Sequence, residues 1–288
     1  MKNLCTLLLL PCLLLLAACR PGASGPAENN RTPLSASIGP LAWLVEQVAG
    51  PDYEVITLVP PGSNAETYEP TPGQMVSLSE SRLYFSVGTL PFETQLANRL
   101  AEAAPDVRTI RLFDGLQPLP ASHGHGHYDP HVWMSPHNVS LMARRICAEL
   151  CRTDTAAAPG FRRRLSRLEA RLDSLDTALR RRLAPVGART FFINHPALGY
   201  FAQAYGLRQI ALEPDGKEPS AAHLAALTNT ARLMARRGQA QLMFGQRGVP
   251  LRTARYVAAQ AGLRLVVVDP LSADWMYQMD CISKAFAP

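Results

Sequence analysis

The sequence predicts an α/β protein with two lobes, each a parallel four-stranded sheet flanked by helices, joined by one long rigid helix. Two observations lead to this prediction. Short apolar runs alternate with helical patterns in two successive series, and strands that alternate with helices form parallel sheets covered on both faces. A longer helical pattern, rich in arginine, stands between the two series. The two halves of the chain are therefore expected to be alike in architecture.

The first residues are typical of an export signal. Lys2 precedes an apolar run that is interrupted by Pro11 and is too short for an ordinary membrane-spanning helix, so we expect a signal peptide over 1–18. The small residues directly before Cys19 are similar to the lipobox of bacterial lipoproteins, in which cleavage leaves the cysteine as an acylated N-terminus. A plain signal peptide that happens to end in cysteine is the alternative. Residues 19–32 are expected to form a flexible, lipid-anchored tether.

The elements of the two lobes are predicted from their periodicity and their flanking turn residues. The N-terminal lobe is expected over 33–155 and the C-terminal lobe over 187–288. The predicted strands are 34–38, 53–59, 83–87 and 107–113 in the first lobe, and 190–194, 208–212, 241–244 and 264–268 in the second. The predicted helices are 40–49, 71–79 and 91–103 in the first lobe, and 197–205, 220–237, 251–261 and 272–285 in the second.

The segment between the lobes, 156–186, is predicted to be one connecting helix, because apolar residues recur at steps of three and four while arginines take the other faces. The apolar positions are Phe161, Leu165, Leu168, Leu172, Leu175, Leu179 and Leu183. A coiled-coil dimer is the alternative. Because the stripe is only about three heptads long and is bracketed by Gly160 and Pro185, we expect a monomer whose helix packs along both lobes.

Charge and cysteine content exclude some classes of protein. The net charge of +6 comes mostly from arginine. These arginines gather on one helix face, and we expect the chain to be exported, so a nucleic-acid partner is not expected.

Three cysteines remain for the folded part, an odd number that does not suggest a disulfide framework: Cys147, Cys151 and Cys281. We expect Cys147 and Cys151 to be packed on a helix, with an intrahelical bridge as the alternative.

A metal site is predicted from histidines and carboxylates near strand ends. Four of the seven histidines lie between His123 and His131, and imidazole is the commonest side chain for borderline metals. Ligands of open parallel sheets collect at the carboxyl ends of the strands. Ligand-type residues stand at four such ends, two in each half, which predicts a metal between the lobes: Glu66, His131, His195 and Asp269. For Glu66 the alternative is a solvated loop carboxylate, for His131 a ring stacked on Trp133, and for Asp269 a helix cap.

Four motifs occur in this order around the long helix: PPGSNAETYEPTPGQM, DPHVW after a His-rich loop, HPALGYFAQAYGL and VVVDPL. Together they resemble the zinc and manganese substrate-binding proteins of bacterial ABC transporters, over nearly the whole mature chain, and DPHVW after a His loop is the most specific part. The resemblance implies a two-lobed receptor that captures a divalent metal outside the cytoplasmic membrane and delivers it to a permease.

The resemblance also implies roles for single residues. His131 and His195 match the imidazole ligands of the family, and Asp269 matches a carboxylate found in many members. Glu66 stands where the family commonly has histidine, and we interpret it as a substituted ligand. Gly245-Gln246-Arg247 stands where relatives often carry a glutamate, which weakens any ligand role for this loop. Glu213, just after a strand, is expected to accept a hydrogen bond from the other N–H of a ligand histidine.

The predicted ligand set suits both zinc and manganese. We expect zinc as the transported ion, because the affinity order of divalent metals favours it over manganese and because the auxiliary loop of His123, His125 and His127 resembles that of the zinc members. We expect no enzyme, since neither HExxH nor another recognised hydrolase signature occurs. A secreted zinc hydrolase, or a metal-binding surface adhesin without a transporter, are the alternatives. The expected location is the periplasm-facing membrane surface.

Overall fold

The computed structural model describes residues 31–121, 128–213 and 219–287. From Thr32 onward the chain forms one compact unit. The predictions of an export signal over 1–18 and of acylation at Cys19 fall outside the described residues. Within the described ranges, no helix is both long and apolar enough to cross a membrane.

The N-terminal lobe is a parallel sheet in the order β2-β1-β3-β4. The chain runs through β1 (Thr32–Ala36), α1 (Gly39–Ala49), β2 (Tyr53–Thr57), α2 (Pro72–Ser79), β3 (Leu83–Ser86), α3 (Pro91–Ala103), β4 (Arg108–Arg111), a 3₁₀ turn (Val132–Met134) and α4 (Pro136–Thr153). Strands β2 and β4 are shorter than predicted, although backbone hydrogen bonds continue beyond them, as from Leu58 N to Ala36 O and from Phe113 N to Val87 O, each 3.0 Å.

Local signals in the sequence explain where these helices begin. Thr71 and Gln74 form a reciprocal capping box at the start of α2, which satisfies two of the unpaired N–H groups of a helix start. The Ser135 side chain accepts the N–H of Asn138 at the start of α4. Both helices have proline in their first turn, where its missing N–H costs nothing. The start of α4 is thus defined just after the 3₁₀ turn that follows His131.

The C-terminal lobe repeats the arrangement, with a parallel sheet in the order β6-β5-β7-β8. Its elements are β5 (Thr190–Ile193), α6 (Gly199–Ala204), β6 (Arg208–Ala211), α7 (Ala221–Arg236), β7 (Ala240–Gln246), α8 (Arg252–Ala261), β8 (Arg264–Val268) and α9 (Trp275–Ala285). Helix α6 begins later than predicted, at Gly199, because the chain first turns at His195 to Ala197. Strand β7 extends to Gln246, beyond the predicted end. These sheets confirm the predicted fold class.

The connecting helix α5 (Ala158–Leu183) has 26 residues, a length of about 39 Å at the usual rise per residue. Near its start, Arg164 donates to the carbonyls of Val48 and Ala49 at the end of α1, over 2.8 and 2.6 Å. Near its end, Arg182 contacts Asp280 of α9 over 2.8 Å. The helix therefore packs against both lobes, as its apolar stripe predicts, and the main hydrophobic core runs through both lobes and this helix.

Two tryptophans join the lobes directly. The indole N–H of Trp133 donates to the carbonyl of Pro270, and the indole N–H of Trp275 donates to the carbonyl of Trp133, both over 2.8 Å. The ring of Trp275 also stacks on Trp43, with centroids 5.4 Å apart. Trp133 and Trp275 are almost fully buried. These two bonds connect the 3₁₀ turn after His131 to Pro270 and to the first residue of the last helix. The two lobes are therefore in direct contact close to His131.

Candidate metal centre

Three of the predicted ligands converge at the carboxyl ends of the strands. One ligand-type atom from each of Glu66, His131 and His195 lies within 4.8 Å of the others. Glu66 and His131 come from the N-terminal lobe and His195 from the C-terminal lobe. Both histidines are buried, and Glu66 is half-buried. The arrangement joins the two lobes through a group of side chains that a metal ion could bridge.

Loop geometry positions Glu66. Its backbone N–H donates to the Asn64 side chain over 2.9 Å, which folds the PPGSNAE loop into a tight turn. The same loop packs against Gly248 of the other lobe, which has φ +83°, and a Cβ atom there would lie 2.9 Å from the carbonyl oxygen of Gly62. Glycine is therefore needed at this close approach. The Glu66 carboxylate then lies 3.2 Å from Nε2 of His195.

His131 is oriented by Asp129, two residues earlier. The Asp129 carboxylate accepts the backbone N–H of His131 over 2.9 Å and lies 2.8 Å from its Nδ1. This contact leaves Nε2 as the ring nitrogen free to bind a metal. The approach of Asp129 depends on Gly199 of α6, since a Cβ atom there would clash with Oδ2 of Asp129. Asp129 was not among the predicted site residues, although its place in Asp-Pro-His is a usable signal for one.

His195 lies between two carboxylates. Its Nδ1 is 3.7 Å from Glu213, and its Nε2 is 3.2 Å from Glu66. The parallel pairing of β5 and β6, which sets Ile193 opposite Ala211, continues past both strand ends and brings Glu213 beside His195. Burial lowers the pKa of His195, but Glu213 and Glu66 outweigh burial and raise it to about 9. Without a metal this histidine is therefore a cation held by two carboxylates.

Asp269 follows β8 as predicted, but it lies outside the group of three. Its carboxylate accepts the N–H of Leu271 over 3.1 Å and pairs with Arg247 over 3.5 Å. Burial raises the pKa of Asp269, while the Leu271 amide and Arg247 lower it. Arg247 comes from the Gly245-Gln246-Arg247 segment, which was predicted only to have a weakened role as a source of ligands. Asp269 as a ligand stays a prediction, and the auxiliary loop of His123, His125 and His127 lies outside the described residues.

The electrostatics of this region suit a cation. The carboxylates of Glu66, Asp129 and Glu213 lie beside the two imidazoles. Each imidazole has a carboxylate facing one nitrogen, a pattern that fixes the ring and strengthens the other nitrogen as a metal ligand. Fold and site together define a two-lobed binding protein with a candidate metal centre between its lobes.

Comparison with known proteins gives the family. Residues 35–280 match the family described as ZnuA, zinc-uptake complex component A, periplasmic. The chain therefore belongs to this family, which is one of substrate-binding transport proteins. The structure described as a crystal structure of ZnuA superposes with a TM-score of 0.82 and 31% identity, covering 88% of this chain and 97% of that one. The resemblance drawn from the four motifs is confirmed.

Relatives differ in the metal for which they are named. The zinc-binding lipoprotein AdcA of Streptococcus pneumoniae (strain ATCC BAA-255 / R6) is 26% identical over 95% of this chain and 56% of its own length, so the chain spans about half of that protein. The manganese-binding lipoprotein MntA of Halalkalibacterium halodurans is 27% identical over 74% of this chain and 71% of its own. Membership of the family thus identifies this chain as a metal-binding component of a metal uptake system. Which metal it binds depends on the residues of the site.

Proposed function

We propose that this protein captures a zinc ion in the cleft between its lobes and delivers it to an ABC transporter permease. Glu66, His131 and His195 are the proposed ligands. The observation that supports this most is their convergence from both lobes to within 4.8 Å, with a carboxylate at the second nitrogen of each histidine. A captured ion would replace the contact between Glu66 and His195 as the link between the lobes.

Ligand chemistry supports zinc. Two imidazoles and one carboxylate make a three-ligand set for a tetrahedral zinc ion, whereas manganese prefers more oxygen ligands. The affinity order of the divalent metals also favours zinc over manganese at a shared site. Manganese is the second candidate, because a carboxylate stands where the resemblance implies a third histidine.

Asp269 is the proposed fourth ligand, and its contact with Arg247 sets a condition on that role. The carboxylate would have to leave Arg247, which is largely exposed and can move away into solvent. A water molecule would complete the coordination where this exchange does not occur.

The proposed location is the outer side of a membrane, held by a lipid on Cys19, with residues 19–32 as tether. Replacement of Cys19 by alanine should abolish partitioning into the detergent phase while the protein stays folded and binds metal. Unchanged partitioning of the variant would refute the lipid anchor and leave the metal site unaffected.

The metal site is tested by elemental analysis of the mature protein from metal-replete cells, followed by zinc and manganese competition. We expect one zinc per chain. Glu66→Ala should weaken zinc binding, because a charged ligand is lost, and Glu69→Ala is the matched control, since Glu69 is an exposed carboxylate of the same loop. Zinc affinity of Glu66→Ala equal to that of Glu69→Ala would remove Glu66 from the site.

A further inference from the structure

Helix α5 carries most of the net charge of the protein. It has eight arginines and three carboxylates, a formal charge of +5 on 26 residues, while the whole chain has +6. Several of these arginines have structural partners, as Arg164 does with the end of α1 and Arg182 with Asp280. Arg180 pairs with Asp176 on its own helix. The other arginines of α5 take no part in these three contacts.

The exposed side of α5 forms a surface that we call the basic stripe. Its members follow one another at steps of four and three, and all of them are exposed: Arg163, Arg167, Ala170, Ser174, Thr177 and Arg181. Each lies two residues after a member of the apolar stripe, a rotation of about 200°, so the two stripes face opposite directions. From Arg163 to Arg181 the basic stripe is about 27 Å long.

The basic stripe contains no acidic residue. In the described part of the chain, no side chain forms an ion pair or hydrogen bond with its three arginines. The acidic residues of α5 lie to one side, where Glu169 pairs with Arg144 and Asp176 with Arg180, while Asp173 is exposed at the edge. Small residues between the arginines let the helix approach a flat surface closely. The stripe therefore presents three arginines, two near the start of α5 and one near its end, that the fold itself does not use.

The described chain begins beside the same end of α5. The N–H of Thr32 donates to the carbonyl of Asp52. Tyr53, which follows Asp52 in sequence, donates its hydroxyl to Asp154 over 2.8 Å. Asp154 in turn accepts the N–H of Ala157, directly before α5, and the rings of Tyr53 and Phe161 are 5.5 Å apart. The first strand of the fold therefore begins next to the arginine-rich start of the helix.

We propose that the basic stripe of α5 docks on the anionic head groups of a membrane surface. Arginine side chains near such a surface are attracted to it, by about fivefold in partitioning for each residue. The proposal rests on the lipid anchor proposed above, because a chain anchored through Cys19 enters the fold at Thr32, beside the start of α5. An acidic protein surface is the competing partner, and an absence of vesicle binding would favour it.

Vesicle binding by the unlipidated chain from Arg20 tests this proposal without any contribution from an acyl chain. The probe is vesicles of phosphatidylglycerol and phosphatidylcholine, compared with phosphatidylcholine alone, in a sedimentation assay. The parent should bind the anionic vesicles, and about 1 M salt should release it, since the Debye length is then about 3 Å. Equal binding of the parent to anionic and neutral vesicles, or no binding to either, would overturn the proposal.

A charge-matched control separates position from net charge. The variant Arg163→Glu/Arg167→Glu/Arg181→Glu should lose anionic vesicle binding by on the order of 100-fold or more. The control Arg236→Glu/Arg237→Glu/Arg255→Glu changes three exposed arginines of the C-terminal lobe, with the same change in net charge, and should retain most of the binding. An equal loss in both variants would show a general charge effect and refute the stripe.

Zinc titration of the same samples keeps this result separate from the proposed function. The stripe variant should bind zinc as the parent does, which also shows that it is folded. A parent that binds anionic vesicles but no zinc would contradict the proposed function and leave the docking surface intact.

Discussion

At the scale of single residues, the two proposed histidine ligands are held in similar ways by different parts of the chain. Asp129 lies 2.8 Å from Nδ1 of His131, and Glu213 lies 3.7 Å from Nδ1 of His195. Asp129 is a near neighbour of its histidine in sequence, while Glu213 reaches His195 through the pairing of two strands. In both cases Nε2 would be the nitrogen that binds a metal, and the carboxylates would determine this choice.

The pKa of His195 leads to a prediction for the metal-free protein. Because its folded value of about 9 exceeds the ordinary value of 6.5, protonation of His195 stabilises the fold by on the order of 3 kcal/mol at low pH. This contribution is fully present below pH 6.5 and is lost as the pH rises toward 9. In Glu213→Gln we expect a lower pKa of His195 and a smaller loss of stability between these pH values.

NMR titration of the His195 ring and urea unfolding at both ends of this pH range measure the two effects. Glu80→Gln is the control, since Glu80 is an exposed carboxylate far along the chain from the site. A pKa of His195 that stays the same in Glu213→Gln would show that Glu66 alone is responsible for the shift.

At the scale of elements, α5 depends on a few contacts that join it to each lobe. Arg164 donates to the last carbonyls of α1, where a helix leaves its acceptors unpaired. The guanidinium also fills the space beside Gly50, which has φ +83°. One side chain therefore caps α1 and attaches α5 to the N-terminal lobe at the same time.

Arg164→Ala should destabilise the protein by about 2–3 kcal/mol, because two hydrogen bonds from a charged group to partly buried carbonyls are lost. Arg163→Ala, one residue earlier on the exposed side, should change the free energy of unfolding by less than about 0.5 kcal/mol. Urea unfolding of the metal-free proteins compares the two. Equal effects would mean that the contact with α1 adds little to stability.

At the scale of the whole molecule, the lobes are connected near the site by Trp133 and Trp275. Their reciprocal bonds cross between the lobes within a few residues of His131 and Asp269. Since the proposed ligands come from both lobes, we expect any loosening of this contact to widen the distribution of distances between Glu66, His131 and His195. We therefore predict that the tryptophan pair links global stability to the geometry of the candidate metal centre.

Trp275→Phe should retain the stacking on Trp43 but leave the carbonyl of Trp133 buried without its donor, a cost of about 1–3 kcal/mol. Zinc affinity should fall together with stability. Tyr256→Phe, an exposed aromatic position in α8, is the control and should leave both unchanged. Zinc titration and urea unfolding of the two variants decide whether the lobes are coupled through the indole N–H; an unchanged zinc affinity in Trp275→Phe would show that they are not.

The sequence alone determined the architecture and the places from which the site is built. Periodicity predicted two series of strands and helices and one long helix between them, because burial of apolar residues in regular elements leaves a local signal. Parallel sheets bring their carboxyl ends together, so Glu66, His131 and His195 could be named before their distances were known. Strand ends such as that of β7 were less well predicted, since they depend on neighbouring strands.

Only the tertiary structure decided how the polar groups are paired. Asp269 was predicted from its strand end in the same way as the three residues that converge, yet its carboxylate faces Arg247 and the Leu271 amide. The contacts of Asp129 across Gly199 and of Glu213 with His195 also arise between elements that are distant in sequence or in different lobes. Such pairings depend on where segments that are distant in sequence place their side chains, and no local periodicity of the chain carries that information.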